Sequence, residues 1–328
     1  MDSRFPWMGE RKVLVKKLSE TNPEHGCDPH KRDIKSHLDF GIVNIDKPSG
    51  PSSHQVSAYV KQILHVEKTG HSGTLDPKVT GVLPVAIGKG TRIVQSLLTA
   101  GKEYICIMQL HKPVDEKTLR EAVKSFVGEI DQLPPVRSAV KRQVRKRKIY
   151  FIDIIEIKGK DVLFRVGCQA GTYIRKLCTD IGDKLGTGAH MSELRRTGAG
   201  PFGEDTLCTL QDLTDAYHYM TEDSNDFYMR RKVQPVEVGA RHLAHIWVHD
   251  NTVNSLCHGA YLNLPGVSKF HDRIEKGERV GVFTLKGELI LVGIAQMASD
   301  EAMAKDKGLF VRPDQVFMHP DTYPKPKN

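Results

Sequence analysis

The segment "GHSGTLDP", Gly70 to Pro77, sets one carboxylate, Asp76, among small, hydroxyl-bearing and turn-forming residues between the more apolar runs at 57–65 and 82–87. An ionised carboxylate can act as a nucleophile or take up a proton. The same residue types also build ordinary surface turns, since each supplies a turn conformation or a local side-chain hydrogen bond. The segment alone therefore does not decide whether Asp76 reacts. Its neighbours narrow the chemistry: the glycines of "GTLDPKVTGVLPVAIGKG" have the wrong spacing for a dinucleotide fingerprint or a P-loop. Six cysteines (Cys27, Cys106, Cys168, Cys178, Cys208, Cys257) stand singly with no C-x-x-C pair. They form no zinc or disulfide framework and read as reduced, mostly buried thiols.

Charge points to the class of partner. The chain carries 48 Lys+Arg against 40 Asp+Glu, a net charge of +8, which favours a polyanion. In "VRSAVKRQVRKRKIY" seven of the twelve residues from Arg137 to Lys148 are basic (Arg137, Lys141, Arg142, Arg145, Lys146, Arg147, Lys148) and none is acidic. Such a run repels itself until an anion relieves it, and the interleaved Val, Ile and Tyr give it an apolar side. With no run of about 18 uncharged apolar residues and no apolar core of a signal sequence in "MDSRFPWMGERKVLVKK", a soluble intracellular protein with no membrane partner is expected.

The elements that must position Asp76 follow from pattern. At 328 residues two domains are expected. Residues 1–37 read as a polar N-terminal extension that wraps a body or stays loose. "FGIVNIDKPSG" is a strand ending in a turn, and 53–65 a helix with Val56, Val60, Ile63 and Leu64 on one face and Ser52 or Ser53 as its cap. "VLPVAIG" and "KEYICIMQLH" are strands, and "DEKTLREAVKSFVG" a helix. "KIYFIDIIEIKGKDVLFRVGCQA" is a hairpin with a Gly-Lys-Asp turn, and "TYIRKLCTDIGDKLG" a helix closed by Gly186. Without a regular βαβ repeat, an α+β domain around a mixed, mostly antiparallel sheet is predicted over 38–232. From Val233 to 318 short strands and regular turns predict a small, mostly β module, followed by a short tail, 319–328.

Three separated stretches, in order, resemble one family. "DKPSGPSSHQV", "GHSGTLDPKVTGVLPVAIGKGTR" and "GTYIRKLCTDIGDKLGTGAHMSELRRTGAGPF" are similar to the Lys-Pro-x-Gly, catalytic-aspartate and arginine/leucine motifs of the TruB-type pseudouridine synthases. "QLPPVRSAVKRQVRKRKIY", the PUA-like segment 233–318 with "CHGAYLNLPGV", and "DTYP" make the chain more similar to the dyskerin-type members. That resemblance covers about 38–324. The long Lys-rich tails of eukaryotic dyskerins are absent, so an archaeal-like, cytoplasmic protein is expected, nucleolar if eukaryotic.

The resemblance implies Asp76 as the catalytic residue, Tyr104 as the active-site tyrosine whose ring stacks on the base, Leu194 as an apolar wall, Lys47 as a pocket-lining lysine and His71 near the displaced base. It implies an RNA-binding role for the basic loop around 137–149. Converting uridine to its C-glycoside isomer changes no oxidation state, so no cofactor or metal is expected. The partner of Asp76 should be a fixed cation that keeps it ionised below about 3.9. Arg175, in the first turn of a helix where positive charge opposes the dipole, is the candidate. Implied partners are a box H/ACA guide RNA, substrate rRNA and tRNA, and small subunits of the Nop-ten-like, Gar-one-like and kink-turn-binding ribosomal types. The expected role is catalytic subunit of an archaeal-like box H/ACA ribonucleoprotein, also able to act without a guide on the TΨC-loop uridine of tRNA. A stand-alone tRNA synthase and a non-catalytic RNA-binding scaffold are the alternatives.

Overall fold

The computed structural model describes residues 2–134 and 143–325. Two sheets organise it. The larger runs in the spatial order Val233–Pro235, Gly41–Lys47, Thr80–Ile87, Ala189–Ala199, Lys102–Leu110, Asp161–Cys168, Arg145–Lys158, Gly128–Gln132, with the short strand Thr69–His71 also pairing with Thr80–Ile87. All pairings are antiparallel except the short one between Thr80–Ile87 and Ala189–Ala199. The sheet is therefore mixed and mostly antiparallel, as the α+β pattern predicts.

Helices cover it because their apolar residues recur at helical spacing. In the helix Ile174–Lys184, Ile174, Leu177, Cys178 and Ile181 are all buried. They share a core with Tyr104, Cys106 and Met108, alternate residues of Lys102–Leu110. The helix Ser53–Ile63 opens with a capping box, Ser52 and Gln55 each bonding the other's backbone amide. It lays Val56 and Val60 on Val43, Ile45, Leu83 and Val85.

The second sheet has the order Val13–Val15, Val267–His271, Ala244–Val248, Arg279–Phe283, Leu289–Ala295, Leu309–Val316, Leu262–Asn263. No helix among the described residues is long and apolar enough to cross a membrane.

The structure differs from the sequence-based picture in four places. The β module expected from 233 begins near Ala244, because Val233–Pro235 pairs with Gly41–Val43 of the first sheet. "AHMSELRRTGA", read as a leucine-bearing segment, is the strand Ala189–Ala199 in the middle of that sheet. Arg145–Lys148 of the expected basic loop lie in a strand, paired with Gly128–Gln132. Alternation there carries on from the apolar strand Ile149–Ile157, so the ladder extends into the charged residues. Helices Leu210–Glu222 and Phe227–Lys232 are additions that the sequence pattern does not announce.

The N-terminal extension wraps both sheets. Val13–Val15 adds an edge strand to the second, and Phe5, almost fully buried, stacks on Trp7 of the extension itself and packs on Tyr150 and Phe151 of the first. Asp2 and Arg4 extend this contact by ion pairs to Arg165 and Asp153. Phe5→Ala should lower stability by about 3 kcal/mol through the cavity it leaves. Denaturant titration checks this, and an unshifted midpoint would mean that the extension does not belong to the core.

Candidate active site

The loop between Thr69–His71 and Thr80–Ile87 carries Asp76, and its backbone is held by side chains buried beneath it. Ser53, at the start of its helix, accepts from the amide of Leu75 at 2.8 Å and donates to the carbonyl of the same residue at 3.3 Å. Lys47 is fully buried, and its ammonium donates to the carbonyls of Pro48, Pro77 and Val79, each at 2.9 Å. Arg196, also fully buried, donates from Nε to the carbonyl of Val82 at 2.6 Å and from its two terminal nitrogens to that of Gly73 at 3.3 and 3.4 Å. The Gly50 amide donates to Pro77, and the Val79 amide to Asp76, closing the turn. Gly81 admits the strand that carries Arg196: a Cβ there would lie 2.2 Å from the Arg196 carbonyl.

Against this fixed backbone the Asp76 carboxylate is half exposed and ion-paired with Arg175, which is half exposed too. Arg175 is the second residue of its helix. Buried Gln132 fixes where that helix starts, accepting from the Tyr173 amide at 2.9 Å and donating to the Tyr173 carbonyl at 3.1 Å. The ion pair offsets the unfavourable placing of a cation at a helix N-terminus.

Tyr104 is buried in the core that includes Leu75 and Val79, with Leu194 packed on it and partly exposed. Burial pushes the Tyr104 phenol up while the adjacent Arg196 guanidinium pulls it back. Burial pushes Lys47 down, as does Arg196, with Asp76 opposing. His71 packs edge-on against His54. Burial lowers it from its ordinary 6.5, assisted by His54 and Arg196, so its imidazole is neutral at pH 7.

The structure thus brings together Asp76, Arg175, Tyr104, Leu194, Lys47 and His71. Lys47 sits under the loop, bonded to carbonyls, rather than lining an open pocket. Of the basic residues, Arg137, Lys141 and Arg142 lie outside the described residues. Arg147 donates to the Gly171 carbonyl at 3.0 Å, Lys146 pairs with Glu129, and the Lys148 carbonyl accepts from Gln169. The basic strand therefore abuts the turn that leads into the Arg175 helix.

Two residues escaped the sequence reading, Arg196 and the buried Lys102, whose ammonium donates to the carbonyls of Leu97 and Ala100 at 2.9 and 2.6 Å. Arg196 stands two residues beyond Leu194, so period-two alternation puts it on the same face, a signal that the strand assignment would have supplied.

The geometry is that of a half-exposed, ion-paired carboxylate on a loop of a mixed sheet, followed along the chain by a separate β module. Residues 61–174 match the TruB family pseudouridylate synthase (N terminal domain), 175–240 the tRNA pseudouridylate synthase B C-terminal domain, 2–57 the DKCLD (NUC011) domain and 244–317 the PUA domain. The chain is 52% identical to the probable tRNA pseudouridine synthase B of Methanopyrus kandleri over 99% of its own length and 96% of the relative's. It is 54% identical to that of Pyrococcus furiosus, over 96% and 94%. It superposes on a chain of a Cbf5-Nop10-Gar1 complex with a TM-score of 0.95 at 53% identity, covering 98% of each. On a chain of an H/ACA RNP bound to a substrate RNA containing 2'-deoxyuridine the values are 0.92, 51% and 98% of each. The chain belongs to the TruB family of pseudouridine synthases, isomerases that act on RNA.

Arg175→Lys keeps the charge opposite Asp76 but loses the planar two-pronged donor. Turnover should fall at least about tenfold with RNA affinity nearly unchanged, measured by single-turnover kinetics and filter binding. Wild-type turnover would show that Asp76 does not depend on this partner.

Proposed function

We propose that the chain isomerises uridine to pseudouridine at Asp76, as the catalytic subunit of an archaeal-like, cytoplasmic box H/ACA ribonucleoprotein acting on rRNA selected by a guide RNA. It also acts without a guide on the TΨC-loop uridine of tRNA. One observation carries the catalytic part: Asp76 reaches solvent on a backbone held by three buried polar side chains, with Arg175 opposite it. A non-catalytic scaffold would need no such anchoring.

In the reaction the target nucleotide leaves its helix, at a cost of a few kcal/mol that interactions in the site recover. The Asp76 carboxylate, oriented by Arg175, attacks the anomeric carbon or takes the proton of the adjacent ribose carbon as the bond to N1 breaks. The Tyr104 ring stacks on the displaced base, Leu194 walls it in, and neutral His71 lies at its edge. The base turns, and C5 bonds to the sugar as Asp76 leaves the anomeric carbon or returns the ribose proton, after which the C5 hydrogen leaves as a proton and N1 takes one up.

The assembly reading draws on the relatives. Two solved chains similar to this one stand in complexes described with Nop10, Gar1 and substrate RNA, and curated relatives are named for tRNA. On this reading the small partners are subunits of the Nop10 and Gar1 kinds and a kink-turn-binding ribosomal-type protein. The guide RNA is gripped by the module at 244–317, and the basic residues 137–148 hold the substrate.

Asp76→Asn keeps size and loses basicity. It should abolish isomerisation while RNA affinity and fold are retained, and residual turnover above about a hundredth of wild type would sink the assignment. Assays on labelled tRNA and on rRNA fragments, with and without guide RNA and partner subunits, separate the stand-alone enzyme from the guided one. For the basic segment, replacing Lys141, Arg142 and Lys148 by Ala should weaken substrate binding and flatten its salt dependence. Every phosphate that a side chain ceases to neutralise reduces the slope of log affinity against log salt by about 0.7 to 0.9. An unaltered slope would leave these residues a solvated charge run.

A further inference from the structure

Three basic side chains, Lys47, Lys102 and Arg196, are buried beneath the Asp76 loop, Lys47 and Lys102 satisfied by backbone carbonyls and Arg196 by backbone carbonyls together with the Tyr104 side chain. Among the described residues none has a carboxylate within ion-pair distance. Asp76 is taken by Arg175 at the surface, Asp46 by Arg195, and Glu103 accepts from the Thr197 hydroxyl. Gly73 is where two of them converge, since a Cβ there would lie 3.8 Å from Lys102 Cε and 3.9 Å from an Arg196 terminal nitrogen.

Carbonyl dipoles solvate a cation but do not neutralise it, so net positive charge remains in a medium of low dielectric constant. Folding tolerates an uncompensated buried charge only at a cost. Lys102 registers that cost, pushed down to about 7 by burial and by Arg196.

We infer that this buried positive floor, centred on Arg196, stabilises the anion that the reaction itself creates. When the bond from N1 to the anomeric carbon breaks, its electron pair stays on the uracil, spread over N1, O2 and O4. The sugar's deficit is met by an Asp76 oxygen or by loss of the neighbouring ribose proton to Asp76. When C5 bonds to the sugar, the base gives that pair back as the Asp76 oxygen leaves the anomeric carbon or as Asp76 returns the proton to the neighbouring ribose carbon; the C5 hydrogen then leaves as a proton and N1 takes one up. The base is anionic only between these two events. A fixed positive field there favours the intermediate over the neutral bound nucleotide and costs no reorganisation during the step. Arg196 is fully enclosed and does not touch the base, so it acts at a distance, through its charge. The hydrogen-bonding fork that holds Gly73 is a separate matter.

The test uses a base that needs less help. Fluorine at C5 makes uracil a better leaving group, so electrostatic assistance matters less for 5-fluorouridine than for uridine. In single-turnover assays with the assembled complex, Arg196→Met should slow glycosidic cleavage roughly tenfold or more on uridine RNA and less than about threefold on 5-fluorouridine RNA. Arg196→Lys, which keeps the charge and loses the fork, should recover most of the loss. Equal losses on both substrates, or a Lys variant as slow as the Met variant, would overturn the inference and leave Arg196 a purely structural residue. If Arg196→Met does not fold, Lys102→Met carries the same comparison at about pH 6, where the native lysine is charged, and equal losses there overturn it too. The inference rests on the isomerisation proposed above. Wild-type and Asp76→Asn turnover run alongside distinguish failure of that reading from failure of this one.

Discussion

A carboxylate that must reach a substrate has to lie at the surface, yet a surface loop of Gly, Ser, Thr and Pro has little with which to hold itself in place. In this chain the constraint is met by donors from below. The Ser53 hydroxyl, the Lys47 ammonium and the Arg196 guanidinium each bond the backbone between Gly73 and Val79. The Leu75 amide and the Val79 carbonyl, bonded in buried surroundings, would without these partners cost about 1–3 kcal/mol each. The same bonds therefore make the loop part of the folded core and fix where Asp76 leaves it. Buried lysine and arginine side chains are expensive on their own. They are retained where the groups they satisfy are expensive too.

Three strands deliver those donors. Lys47 ends Gly41–Lys47, Arg196 lies in Ala189–Ala199, and Tyr104 and Lys102 lie in Lys102–Leu110. Gly81 lets the first two come within reach, because any side chain there would collide with the Arg196 carbonyl. Tyr104 and Arg196 are cross-strand partners in the register of the second and third. A slip of one residue would turn Arg196 out and bring in its neighbour Arg195, which pairs with Asp46 and Glu204 on the opposite face. Register, more than any single contact, decides which arginine serves the loop.

Much of this was legible in the sequence. Asp76, Arg175 and Tyr104 stand in motifs specific enough to name, and the helices at 53–63 and 174–184 follow from apolar spacing, since local periodicity marks a helix whatever it packs on. What escaped was set by long-range pairing. "AHMSELRRTGA" alternates too weakly to announce a central strand, and only its partners at 80–81 and 102–110 make it one. Lys102 and Arg196 are charged, so composition places them on the surface, and nothing local to either residue shows the carbonyls that await it. The polar sequence of the extension fits wrapping and looseness equally, because it hides how few anchors suffice. Phe5 in one core and Val13–Val15 on one sheet edge fix it.

Those anchors also bear on how a distant RNA contact reaches the site. The two sheets share an apolar core in which Ile42 and Val82 meet Phe283, Leu289, Val292 and Phe317. Arg32 of the extension closes the junction by a two-pronged ion pair to Glu237, whose carboxylate also accepts from the Leu289 amide. Burial opposes the charge on Arg32 and Glu237 favours it, with a net upward shift. A junction with a continuous core and a buried bidentate pair does not hinge freely, unlike the small polar interfaces that usually separate domains. Under the guided reading, an RNA gripped at the second sheet would then present its target to Asp76 at a distance fixed by the protein, so that selecting a uridine becomes a matter of length along the RNA. No base then needs to be read by Ser53, Lys47 and Arg196, whose hydrogen bonds are spent on the loop backbone.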